Sequence, residues 1–145
     1  MPEKDYSQTP LVKKLGIKSG ARVLLVNAPR NFLSSLEPLP DGVEFAADSA
    51  SGLDVIVLFV TSEVELWEHF VPLARRLLAD GGIWVAWPKK SAKTQTNLTF
   101  DAVQTHGLEN GLVDNKICAI DEPWTSMRFV IRLKDREKRS RNRES

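Results

Sequence analysis

Hydrophobic residues gather in three dense runs: Val23-Leu24-Leu25-Val26, Val55-Ile56-Val57-Leu58-Phe59-Val60 and Ile83-Trp84-Val85-Ala86-Trp87. Unbroken apolar runs of this length predict strands buried on both faces, as in a parallel sheet covered by helices on either side. The segments between them carry helical spacing. Leu11, Val12 and Leu15 share one face of a short helix that Thr9 can cap, with Pro10 at its first position and Gly16 placed to end it. Asn31 can cap a second short helix in which Phe32, Leu33 and Leu36 face the sheet, and Pro38 and Pro40 stop it. Ser62 and Glu65 form a capping box ahead of a longer helix, where Leu66, Phe70, Leu73 and Leu77 recur. Pro72 predicts a kink or split near Phe70, and Ala79-Asp80-Gly81-Gly82 is expected to close this helix.

Two weaker patterns complete the chain. Val43-Glu44-Phe45-Ala46 alternates after an Asp41-Gly42 turn signal and predicts a short strand at the sheet edge. Thr99 can cap a last helix, with Leu98 and Val103 as its hydrophobic staple and Gly107 and Gly111 as punctuation. Residues 112–120 and 127–134 read as two strands of an antiparallel hairpin, with Met127, Phe129, Ile131 and Leu133 on one face. Strands alternating with helices, then a hairpin, predict an α/β, Rossmann-like three-layer sandwich with a mostly parallel sheet. One such domain over residues 9–134 is flanked by a flexible start, 1–8, and a charged tail, 135–145, expected to be disordered.

Several stretches resemble a known family at this point. Lys14-Leu15-Gly16-Ile17-Lys18-Ser19-Gly20-Ala21-Arg22-Val23-Leu24 resembles the approach to the first strand of class I S-adenosylmethionine-dependent methyltransferases. Leu77-Leu78-Ala79-Asp80-Gly81-Gly82-Ile83-Trp84-Val85 is similar to that family's helix-Gly-Gly-strand passage, and the final hairpin to its last two strands. Asn27-Ala28-Pro29, Trp87-Pro88-Lys89-Lys90 and Asp121-Glu122-Pro123-Trp124 resemble more closely a small bacterial family of unknown function with a methyltransferase-like fold. That second resemblance implies no reaction or ligand.

The departures carry as much information. The methyltransferase family holds the methionine end of its cofactor on a glycine-rich turn after the first strand, because only glycine lets backbone N–H groups come so close. Here that turn is Asn27-Ala28-Pro29-Arg30-Asn31, which has no glycine. Ala28 adds a methyl group, and Pro29 removes an N–H and adds a ring. The family's acidic ribose ligand at the end of the second strand has no convincing counterpart, with Glu44 inside the strand and Asp48 two residues past it. The chain is also short by about one helix-strand unit before Asp54. S-adenosylmethionine is therefore not the expected cofactor, and catalysis is not the expected role.

Composition narrows the function classes. The 145 residues are 42% hydrophobic and 27% charged, as in an ordinary globular domain, and no apolar run has the length to cross a bilayer. The first residues lack the basic start and apolar core of a signal peptide, and a single cysteine, Cys118, allows neither an intramolecular disulfide nor a cysteine-rich metal site. A cytoplasmic location is expected. The net charge of +1 conceals an asymmetry: six basic and three acidic residues over 134–145 leave about +3 there and about −2 on the body. His69 and His106 fall in helices with no partner at ligand spacing, so no metal site and no catalytic set is expected.

Candidate chemistry then rests on position. Open α/β sheets bind ligands at the carboxyl ends of their strands. With the first, third and fourth strands adjacent, that edge gathers Asn27, Ala28, Pro29 and Arg30 with Ser62, Trp87, Lys89 and Lys90. Arg30, Lys89 and Lys90 supply positive charge, Asn27 and Ser62 hydrogen bonds, Trp87 a flat wall, and the two nearby helix N-termini partial positive charge. Solvated surface charge beside strand-stopping prolines is the plainer account of the same residues. Trp84 and Trp87, an odd number apart, should face opposite sides of the sheet. Trp124 is expected to cover a core edge, with a partner contact the minority alternative. Three functions compete: a non-catalytic domain binding a small anionic ligand or a protein partner at this edge, a methyltransferase with an atypical cofactor turn, and an RNA-associated protein acting through its basic tail.

Overall fold

A computed structural model describes residues 9–47, 50–90, 95–121 and 123–137. Asp48, Glu122, the 1–8 segment and most of the charged tail lie outside them. The described chain runs α1 (Leu11–Lys14), β1 (Arg22–Val26), α2 (Phe32–Ser35), β2 (Glu44–Phe45), β3 (Leu53–Phe59), α3 (Glu63–Ala74), β4 (Leu77–Pro88), α4 (Phe100–Glu109), β5 (Leu112–Ala119) and β6 (Trp124–Ile131). One six-stranded sheet has the order β2-β1-β3-β4-β6-β5. The first four strands are parallel, while β6 runs antiparallel to both β4 and β5.

The three dense apolar runs are the three central strands, and each faces two cores. Leu24, Ile56, Leu58, Ile83 and Val85 point toward α3 and α4, where Leu66, Phe70, Leu73 and Val103 complete one core. Val23, Val55, Val57, Phe59, Trp84 and Ala86 point to the other face, under α1 and α2, with Val12, Leu15, Phe32 and Leu36. Trp84 and Trp87 fall on opposite faces. The Trp84 indole Nε1 donates to the Leu15 carbonyl at 3.0 Å, which ties the end of α1 to the middle of the sheet and satisfies a buried donor.

The starts of α3 and α4 follow their sequence signals closely. Ser62 accepts from the Glu65 N–H at 3.2 Å, and Thr99 accepts from the Ala102 N–H at 3.1 Å, with Leu98 and Val103 both buried as a staple. The α1 cap is Pro10 rather than Thr9, and Asn31 precedes α2 without a side-chain cap bond.

Five further expectations are corrected. The helix over α3 ends at Ala74, and Leu77 opens β4, paired with Leu53. Leu77 is fully buried, but by sheet pairing, so its helical spacing misleads. Of the kink or split expected at Pro72, the split is absent, since α3 runs unbroken from Glu63 to Ala74; Pro72 and Glu68 are exposed, so water can serve the carbonyl that the proline leaves unbonded. Gly107 does not punctuate α4 but sits inside it, buried against β6. Leu33 is 49% exposed rather than facing the sheet. Leu133 is 78% exposed and belongs to a helical turn over residues 133–137, because β6 starts earlier, at Trp124, and stops at Ile131.

Candidate functional site

The register fixes which strand ends meet. Val26 of β1 pairs with Leu58 of β3, and Leu58 with Val85 of β4. The turn after β1, the Thr61-Ser62 segment and Lys89-Lys90 therefore share the carboxyl edge, as the apolar runs imply. Val60 N–H donates to the Ala86 carbonyl and Lys89 N–H to the Pro123 carbonyl, each at 2.9 Å, so the edge is laced to the start of β6 as well.

The turn after β1 has an unusual backbone. Asn27 is left-handed, with φ of 59°, a conformation asparagine tolerates better than most residues. Its side-chain amide donates to the Phe59 carbonyl at a long 3.5 Å, which bridges the ends of β1 and β3. Ala28 packs against the α1–α2 core, and the Pro29 carbonyl accepts from the Phe32 N–H. Arg30 is exposed.

Beneath that turn lies a row of aromatic rings. Phe59 meets Phe32 edge-on at 4.9 Å and Trp124 edge-on at 5.0 Å, a geometry that stabilises aromatic pairs beyond their buried area. Trp124 is thus the first residue of β6 rather than part of a turn, and it covers a core edge. Trp87 is 5% exposed inside the α3–α4 core, leaving almost none of its ring to face a ligand.

The N-terminus of α3 is closed by its own side chains. The Glu65 carboxylate accepts from both the Thr61 N–H, at 2.6 Å, and the Thr61 hydroxyl, at 3.0 Å. The Glu63 N–H donates to Asn97 Oδ1 at 2.9 Å, and Ser62 holds the Glu65 N–H. The backbone hydrogen bond from Thr61 is the main reason the Glu65 carboxyl lies below its ordinary value; the Thr61 hydroxyl and His69 add to this, while desolvation opposes it. A carboxylate already occupies the place where an incoming anion would meet this helix.

Three cationic side chains at the edge have no partner among the described residues. Arg30 and Lys89 make no side-chain hydrogen bond or ion pair with any described residue, and the same holds for Lys90. The Glu44 carboxylate is taken by Arg22, at 3.2 Å near the opposite end of the strand pair, and the residues that follow β2 are Ala46 and Ala47. Lys93 lies outside the described residues.

Asn27 also borders a cavity of about 270 Å³ between β1 and α3, with Val26, Glu68, His69, Leu73 and Arg76 around it. Sequence reasoning gave those helix residues no role. Their one signal is that the described residues between β2 and β3 include no helix to cover this flank of β1. Among the described residues no group of three His, Cys, Asp or Glu side chains could hold a metal ion. Nor is any described helix long and apolar enough to cross a membrane. His106 packs edge-on against Phe70, and that burial lowers its pKa in spite of Glu109. Burial raises that of Cys118, which Lys14 only partly offsets.

Comparison with known proteins adds the fold. No family model matches the sequence, and no curated protein matches it significantly. Among solved structures, the chain is similar to a TehB-like SAM-dependent methyltransferase from Corynebacterium glutamicum, with a TM-score of 0.53 and 14% identity over 84% of this chain and 85% of that one. The chain has a methyltransferase-like fold. A second similarity, to LepI in complex with SAM, has a TM-score of 0.48 and 15% identity over 91% of this chain; the chain spans about half, 49%, of LepI. Likeness at this level of identity is a statement about architecture, and the chemistry has to be argued from the edge itself.

Proposed function

We propose that this methyltransferase-like domain does not carry out S-adenosylmethionine-dependent catalysis and instead binds a small anionic ligand, free or carried by a protein partner, at its carboxyl edge. The observation that carries the reading is the turn after β1. Asn27 directs its amide to Phe59, Ala28 is committed to the core, and Pro29 has no N–H to offer, so a methionine carboxylate or amine would find little backbone to meet. The Glu65 carboxylate at the start of α3 would repel the same carboxylate. What the edge does offer is the charge of Arg30, Lys89 and Lys90, unpaired among the described residues, with Arg30 able to grip a phosphate or carboxylate by two parallel hydrogen bonds.

Isothermal titration of the full chain tests both halves. S-adenosylmethionine and S-adenosylhomocysteine should give no binding heat at millimolar concentration. Citrate or inorganic phosphate should raise the melting temperature in low salt, and the Arg30→Ala/Lys89→Ala double variant should lose the part of that rise due to this edge. Saturable binding of S-adenosylmethionine that Ala28→Gly strengthens would instead make the domain an enzyme with an atypical cofactor turn.

A further inference from the structure

The opposite edge of the sheet carries a second concentration of positive charge, and it has the shape of a site. A cavity of about 430 Å³ opens on the α1–α2 face at the amino ends of β1, β3 and β4. Four cationic side chains line it: Lys14 and Lys18 from the end of α1 and the turn that follows, Lys116 from β5, and Arg128 from β6. Two carboxylates, Asp54 and Asp80, also face it. Asp54 accepts the Arg22 N–H at 2.9 Å, and no ion pair joins either carboxylate, or any of the four cations, to a described residue. The balance on the walls is two positive charges in excess.

Arg128 is the centre of this arrangement. Trp84 is its neighbour across the β4–β6 pair, and its guanidinium lies back over Gly82. A Cβ at Gly82 would stand 2.5 Å from Nε and 2.7 Å from both Cζ and one terminal nitrogen, so the glycine makes the bed in which the guanidinium rests. The side chain is half-buried and donates no hydrogen bond to the described chain. Burial, and secondarily the like charge of Arg136, disfavour its protonated form. Arg136 itself is held by its Nε, which donates to the Ile131 carbonyl at 2.9 Å. A half-buried cation without a counter-ion is costly, and the cost is relieved when an anion arrives with matching oxygens.

We propose that this amino-edge cavity binds a small phosphorylated molecule, with Arg128 as the bidentate anchor and Lys14, Lys18 and Lys116 around its phosphate oxygens. The concave volume is in the range of small-molecule pockets, and the charges converge rather than forming a track, which favours a compact ligand over a nucleic-acid strand. The site shares no residue with Arg30, Lys89 or Lys90, so it stands independently of the reading of the carboxyl edge.

Calorimetric titration with inorganic pyrophosphate in low salt tests it, carried out on the full chain bearing Arg30→Ala/Lys89→Ala so that the carboxyl edge is silent. Saturable binding is expected to persist in that background and to weaken at 300 mM salt, where the screening length falls to about 6 Å from about 30 Å at 10 mM. Adding Arg128→Gln should lower affinity by about tenfold or more, the worth of one charge-assisted pair. Lys116→Ala, on an exposed strand position, should lower it by a smaller factor with the fold intact. The idea is overturned by the absence of saturable binding at millimolar pyrophosphate, or by binding that neither substitution weakens. An RNA oligonucleotide that binds through Arg128 where pyrophosphate does not would also overturn it, since the occupant would then be a nucleic acid.

Discussion

Gly107→Ala is the substitution in which sequence logic and structure predict opposite signs. Gly107 lies within α4, three residues before its end cap, and glycine in a helix interior costs about 0.8–1.0 kcal/mol relative to alanine. On propensity alone the variant would be more stable. A Cβ at this position, however, would run into the Phe129 ring, 2.7 Å from Cζ and closer still to Cε1 and Cδ1. Phe129 is fully buried and meets Phe70 edge-on at 5.4 Å, so the ring has no free space into which it can retreat. Forcing an extra carbon into such a contact costs about 1–3 kcal/mol, toward the upper end here because three ring atoms are met at once. Set against the helix gain, a net loss of about 1–2 kcal/mol remains. For a chain of this length that corresponds to roughly 3–7 °C in Tm.

Urea denaturation followed by circular dichroism gives the free energy, and a thermal melt gives Tm. The cause is isolated by Phe129→Leu, which destabilises alone but makes room beside α4. In the double variant Gly107→Ala should cost less than it does in the parent, or should stabilise. A Gly107→Ala protein more stable than the parent would refute the packing of α4 on β6 described above.

Three other outcomes follow from the same structure. Glu65→Gln should cost about 1 kcal/mol at pH 7, the usual worth of a helix cap, measured by urea titration. Because the Glu65 carboxyl is lowered in the fold, its contribution is present above the ordinary value of 4.5 and fades as pH falls through the folded value, so the parent and variant should converge in acid. Asn27→Ala should destabilise by about 1 kcal/mol, because alanine resists the left-handed backbone, whereas Asn27→Gly should cost less, and equal losses in the two melts would contradict that conformation. Cys118, buried with its thiol pushed up, should react with a chromogenic disulfide reagent at pH 8 only slowly until denaturant is added; rapid labelling of the native protein would show the strand to be open.

How much was legible in the chain depends on how local each cause is. The runs at residues 23–26, 55–60 and 83–87 are so apolar that only doubly covered strands can hide them, and crossover handedness then makes β1, β3 and β4 neighbours. The Ser62 and Thr99 caps were equally readable, since a cap is a contract among four consecutive residues. That the turn after β1 reads Asn27-Ala28-Pro29-Arg30, without glycine, is also a fact of sequence.

What the chain alone left undecided are matters in which distant segments compete for the same residue. Leu77 satisfies a helical period and a strand pairing alike, and its partnership with Leu53 settled the matter. Gly107 looks like a stop signal until Phe129 is brought against it, and Trp87 looks like a ligand wall until α3 and α4 bury it. The charged cavity at the amino edge combines α1, three parallel strands and the antiparallel pair β5–β6, with no local motif to announce it. Sequence determined the elements because burial patterns are short-ranged. The tertiary structure decided the boundaries and the sites, because those depend on which surfaces arrive together.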